Sequence, residues 1–302
     1  MSTLEAKEQV EPKEPVPGFP LRFRWTDGAW EKIFDEQVVL IKSDIRRARL
    51  DGKIIVYLSC PISARGGGHA GTNVEIAKFT ERRLLREWGE RFWVLNPAQY
   101  QLESKEGFGL LDIHARKLNL TIAALGKPEG GDYMRMWTRV LVEDPISQEA
   151  PLRPKKNLGL DFDVFYFLGQ SDVRAFFGTE HSVSLTASIE EYFARRHSFD
   201  SDFRDFFSVS GADAPAKAAW DKLRRAFLLF YSTRASVTVS LGSHDEWAIF
   251  ELLNRARRKS PDPEWGGIPN QIAGFFDGRA IPMSMGETDA SLGYGFAKER
   301  AT

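Results

Sequence analysis

The chain has 302 residues, 42% of them hydrophobic and 22 of them phenylalanine, which is enough for a large core in one elaborated domain or two small ones. A net charge of −1 offers no global attraction to duplex nucleic acid or anionic lipid, though it leaves a nucleotide substrate open. The single cysteine, Cys60, excludes an intrachain disulfide framework and a CxxC metal site; no apolar run approaches a membrane span of ~20 residues and no signal-peptide core is present, so a cytoplasmic setting is expected.

Residues 1–20, with four prolines and no apolar period, are expected to form a disordered tail ahead of a single domain over 21–302. Asp27 opens a helix whose apolar positions Trp30, Ile33, Phe34, Val38, Ile41, Ile45 and Ala48 keep helical spacing up to Gly52. Residues 54–58, IIVYL, are apolar on both parities, as a strand buried on both faces of a parallel sheet requires. A glycine-rich loop, 59–72, leads to a helix over 74–88 with Ala77, Leu84, Leu85 and Trp88 inward. The second strand follows at 91–95, closing a right-handed βαβ unit. Residues 105–125 read as helical, 126–131 as a turn, 132–142 as a helix and 144–158 as a polar linker. The run FDVFYFL, 162–168, predicts a third buried strand.

From 170 to 231 the chain is aromatic and charged, with helical candidates at 172–178, 185–196 and 215–230, and reads as a helical insertion. Phe176, Phe177, Phe193, Phe199, Phe206 and Phe207 suit its core. Alternation of Val237, Val239 and Leu241 with Ser236, Thr238 and Ser240 predicts a fourth strand, followed by a helix over 245–258 and a further strand near 272–276. The expected fold is α/β, a flavodoxin-like, mainly parallel sheet flanked by helices.

The 54–73 junction draws the functional argument. Open α/β sheets bind ligands beyond the carboxyl ends of their strands, and Gly66, Gly67, Gly68 and Gly71 would let backbone N–H groups approach an anion. Thr72 or Asn73 can cap the next helix. A plain mobile surface loop explains the same glycines. Cys60 reads as a small residue under the turn, since no histidine pairs with it as a nucleophile's base would. His69, His114, His181, His197 and His244 show no metal spacing, and His244 reads as an exposed first-turn residue. Asp163 reads as a strand-end polar residue. No metal or cofactor is expected.

Three stretches resemble the nucleoside 2-deoxyribosyltransferase superfamily, which includes deoxynucleotide N-hydrolases. YLSCPISARGG, 57–67, looks like that group's first-strand loop. Asn96-Pro97-Ala98 and the later Asp132-Tyr133-Met134-Arg135 are similar to small bacterial members. Ser240-Leu241-Gly242-Ser243-His244-Asp245-Glu246 resembles the motif whose glutamate is the nucleophile. The departures are that Cys60 replaces a glycine and that the whole insertion separates the third strand from Glu246. A second S-L-G, at 291–293, is followed by Ala297 where the glutamate would stand.

The resemblance implies Glu246 as nucleophile, Asp132 as the acid serving the departing base, and Tyr57 as the residue ordering the nucleophile. It implies substrate contacts from Ser59, Arg65, Gly66, Gly67, Gly68, Asn96, Gly242 and Ser243, with Arg65 and the glycines on a 5′-phosphate. A homo-oligomer is implied as well. The chemistry fits, because cleaving an N-glycosidic bond passes through an oxocarbenium-like sugar that a carboxylate beneath C1′ stabilises or bonds. Local spacing offers a competing account: Ser243-x-x-Glu246, like Thr72-x-x-Glu75, has the form of a capping box. Two alternatives stand beside this reading. Trp247 to Leu252, WAIFEL, resembles the glutamate motif of TIR domains, with Glu251 cleaving NAD, and a non-catalytic nucleotide-binding module would keep the fold without the reaction.

Overall fold

The computed structural model describes residues 11–105, 107–144, 156–179, 184–211, 213–236, 241–260, 270–281 and 296–297. Its chain order begins β1 (Leu21–Arg22), α1 (Ala29–Leu50), β2 (Ile54–Ser59), α2 (Ala70–Trp88), β3 (Phe92–Leu95), α3 (Phe108–Lys117) and α4 (Gly130–Val142). After β4 (Val164–Phe167) come α5 (Gln170–Phe176), α6 (Leu185–Phe199), α7 (Ser201–Phe206) and α8 (Ala214–Arg234). The chain then runs through α9 (Leu241–Arg258), β5 (Ala273–Phe276), β6 (Arg279–Ala280) and β7 (Phe296–Ala297).

Five strands form one sheet in the order β3-β2-β4-β5-β6. β2 pairs in parallel with both β3 and β4, and β4 with β5; β6 returns antiparallel. The fold is α/β with helices on both faces, consistent with a flavodoxin-like arrangement. From β2 the chain steps to β3 on one side and later to β4 on the other, so β2 and β4 flank a topological switch point, where open sheets place their sites.

Side-chain alternation along β2 sorts the two cores. Ile55 and Tyr57 join Ile33 and Phe34 of α1, Val140 of α4 and Ile249, Phe250 and Leu253 of α9. Val56 and Leu58 join Ile76 of α2, Phe193 of α6, Phe203 of α7 and Phe227 and Tyr231 of α8 on the opposite face. The insertion therefore shares this face of the sheet with α2. Its longest helix, α8, starts where the Asp213 side chain accepts the Ala216 N–H, with proline in the first turn.

The expected tail is ordered from residue 11. Lys13 pairs with Phe23, and Val16 and Phe19 are buried, so the proline-rich segment docks two apolar side chains without any period to announce them. Residues 1–10 lie outside the described residues. The expected helix over 105–125 divides into α3 and a 3-10 turn at Ile122–Ala124, with Asn119 at φ 55 between them. The predicted strand at 236–241 is not one at either end: Ser236 closes the turn after α8 and Leu241 already begins α9, while 237–240 lie outside the described residues. β5 takes the place beside β4. Of the insertion aromatics, Phe177, Phe193 and Phe207 are buried, whereas Phe199 and Phe206 are exposed.

Candidate active site

Tyr57 and Ser59 lie two residues apart on β2 and so point to the same face, the one that α9 covers. Along α9 the buried stripe runs Glu246, Ile249, Phe250, Leu253 and Arg257 at helical spacing. Its apolar members grip the sheet, and its first polar member, Glu246, arrives at the carboxyl end of β2. There the Glu246 carboxylate accepts a hydrogen bond from the Tyr57 hydroxyl at 2.6 Å and another from the Ser59 hydroxyl. All three residues are buried.

Burial pushes the Glu246 carboxyl up to about 7; the two hydroxyl donors pull against it, and the neighbouring buried Asp245 adds a smaller upward push. Burial, then the Glu246 charge, pushes the Tyr57 hydroxyl up, which keeps it a protonated donor. The site thus holds a carboxyl poised between its two protonation states at neutral pH, with two hydroxyls that favour the ionised one.

The capping-box reading of Glu246 does not survive this geometry. α9 begins at Leu241, so Ser243 sits inside the first turn, and the Glu246 carboxylate is bonded to the strand. Thr72-x-x-Glu75 fails likewise. The cap of α2 is His69, whose Nδ1 accepts the Thr72 N–H at 3.1 Å, while Glu75 accepts from the Tyr192 hydroxyl and pairs with Arg196. Burial holds the His69 ring down to about 4, in the neutral form that this cap needs.

The glycine loop has a packing partner in α8. A Cβ on Gly67 would stand 2.9 Å from that of Ala226, and one on Gly68 2.5 Å from the Phe230 ring. Gly66 and Gly67 hold φ of 95° and 105°, a backbone that favours glycine. Close approach of a helix thus explains these glycines without an anion. Arg65 lies exposed in the turn. Asn73 fastens the loop, donating to the carbonyls of Ile62 and Ser63 and accepting from the Tyr231 hydroxyl at 2.9 Å.

Asn96 is buried at the end of β3, where its Oδ1 accepts the Ala98 N–H and its Nδ2 donates to Glu81. The Cys60 thiol contacts the same Oδ1 and is pushed well up by burial, as a small residue under the turn would be. Gly242 and Ser243 lie in the first turn of α9, Gly242 beside Met134 of α4. His244 is exposed there.

Asp132 stands apart. Its two oxygens accept the N–H groups of Thr26 (2.8 Å) and Glu129 (2.7 Å), so it caps α4 and ties down the N-terminal segment. No bond links it to Tyr57, Ser59 or Glu246, and the expected role beside the departing base finds no geometric support. Glu251 accepts the Trp247 indole N–H at 2.9 Å, within α9. Asp163 ties the amino end of β4 to Arg49 and the Ile55 N–H, at the end of the sheet away from Glu246.

Sequence reasoning passed over Asp245, fully buried beside Glu246, and Arg234, which closes α8 on the loop. The signal for Asp245 was the helical stripe of α9 continued one residue back. Among the described residues no group of three or more His, Cys, Asp or Glu side chains is placed to hold a metal ion. No helix of the described residues is long and apolar enough to cross a membrane. No family model, curated protein or solved structure matches the chain.

Proposed function

We propose that this protein cleaves or transfers the N-glycosidic bond of a nucleoside or nucleotide, with Glu246 as the carboxylate that meets the sugar. The reading is carried by one observation, the arrival of Glu246 from a distant part of the chain at Tyr57 and Ser59 on the carboxyl end of β2. Charge develops at C1′ as the bond to the base lengthens. The base leaves with the bonding electron pair and takes up a proton from solvent water, while the ionised Glu246 stabilises C1′ or bonds to it. Water then completes a hydrolysis, or a second base a transfer. The hydroxyls of Tyr57 and Ser59 orient the carboxylate and favour its charged form.

Glu251 supports the NAD-cleaving reading less well, since its carboxylate accepts from the Trp247 indole of its own helix. The test is incubation of the purified protein with a panel of nucleosides, nucleotides and NAD, read by chromatography for free base. Release of base from a nucleoside or nucleotide is expected. Release from NAD alone would favour the TIR-like alternative, and no release from any of them would leave a binding module.

A further inference from the structure

Arg234 ends α8 against the loop that follows β2. Its Nη1 donates to the Pro61 carbonyl at 3.0 Å and to Asn73 Oδ1 at 3.3 Å, its Nη2 reaches the Ser63 carbonyl at 3.4 Å, and the Phe230 ring lies 4.5 Å away. Every one of these partners is neutral. Several other partly buried arginines are treated differently. Arg83 pairs with Asp172, Arg139 with Asp35 and Glu143, and Arg196 with Glu75 and Asp200. Even Arg257, which donates to backbone carbonyls, feels the charges of Asp144 and Asp163. Among the described residues no carboxylate pairs with Arg234, and burial pushes it down to about 10. Arg234 is half-buried, and a guanidinium partly withdrawn from water beside neutral partners gains from a bound anion.

Its position matters as much as its isolation. Ser59 faces Glu246, and the next residue, Cys60, belongs to the core that the insertion builds on the other face. Glu246 meets the Ser59 hydroxyl and Arg234 the Pro61 carbonyl two residues on, so both reach the carboxyl end of β2. Three of the five guanidinium N–H groups hold the loop. Among the described residues nothing takes up the Nε–H and one Nη2–H, the kind of edge that meets an oxyanion with two bonds.

We propose that Arg234 seats an oxyanion of the substrate, a phosphate ester or a carboxylate, across the carboxyl end of β2 from Glu246. As a statement about substrate this rests on the glycosidase reading; as an anion site it stands on the geometry alone. The insertion helix, rather than Arg65 in the exposed turn, then selects charged over uncharged substrates.

Calorimetric titration of the full chain with inorganic phosphate, and separately with acetate, at constant ionic strength reads the site without turnover. Wild type and Arg65→Gln should bind at least one probe saturably, and Arg234→Gln should lose at least tenfold in affinity. Because Arg234 also fastens the loop, Ser63→Asp provides a second variant, placing an internal carboxylate beside Nη2 that should displace the probe to a similar extent. No saturable binding by wild type, wild-type affinity in Arg234→Gln or Ser63→Asp, or a loss specific to Arg65→Gln would each overturn the proposal. Glu246→Gln should bind the probes normally. If no protein releases base while probe binding still follows Arg234, the glycosidase reading fails and the anion site stands.

Discussion

The Tyr57 hydroxyl donates to the Glu246 carboxylate at 2.6 Å, joining residues 189 positions apart. The Tyr57 ring is held independently by Trp137, Phe162 and Phe165, at centroid distances of 5.9, 5.9 and 5.2 Å, so Tyr57→Phe should keep the packing and remove only the donor. A buried carboxylate that loses one of two donors should cost about 1–3 kcal/mol when ionised and less when protonated. Urea denaturation of Tyr57→Phe is therefore expected to show a larger loss at pH 8 than at pH 5. An equal loss at both would mean that the hydroxyl matters for packing alone.

Glu246 also makes a pH prediction with a definite sign. Its carboxyl is raised from an ordinary value near 4.5 to about 7, so the folded protein binds its proton more tightly than the unfolded chain does. That preference stabilises the fold fully below about pH 4.5 and is lost as pH rises through about 7, a change of roughly 3 kcal/mol. Glutamine does not titrate. The stability of wild type minus that of Glu246→Gln should fall across this window and level off above it. A flat difference would show that the carboxyl is not perturbed in this way.

Gly68 tests the seam between the loop and the insertion. A methyl group there would stand 2.5 Å from the Phe230 ring, so Gly68→Ala should cost about 1–3 kcal/mol by overpacking. The cost should shrink in a Phe230→Ala background, giving a coupling energy in a double-mutant cycle. Additive costs would place the strain elsewhere.

What was legible in the sequence follows from how local its causes are. The stretches 54–58, 91–95 and 162–168 were readable because a strand buried on both faces must be apolar on both parities, and α1 because its stripe repeats over six turns. The two-residue alternation at 236–241 suggested a strand, yet its last residue, Leu241, begins a helix whose buried stripe is set by the sheet beneath it, while 237–240 lie outside the described residues. Glu246 could be singled out, but spacing alone assigned it a cap within its own helix. Only tertiary packing brings it to Tyr57 and Ser59, and no local pattern encodes that contact. The glycines illustrate the same limit: their need for space was visible, and the helix that fills it, more than 150 residues away in the chain, was not.

The two glutamates of α9 separate the catalytic readings. Glu246→Gln nearly preserves size and can still accept from one of the Tyr57 and Ser59 hydroxyls through its amide oxygen while its amide nitrogen donates to the other, yet it cannot carry the negative charge that an oxocarbenium-like sugar requires. Removing stabilisation that exists mainly in the transition state should lower kcat by several orders of magnitude while substrate binding persists. Glu251→Gln keeps an acceptor for the Trp247 indole and should leave base release within a fewfold of wild type. The TIR-like alternative predicts the reverse outcome at the two positions. Both variants should be compared at equal folded fraction on the best substrate of the panel, with binding measured separately from turnover. Release of base by Glu246→Gln at the wild-type rate would remove Glu246 from the chemistry and leave it a buried hydrogen-bond acceptor that joins α9 to β2.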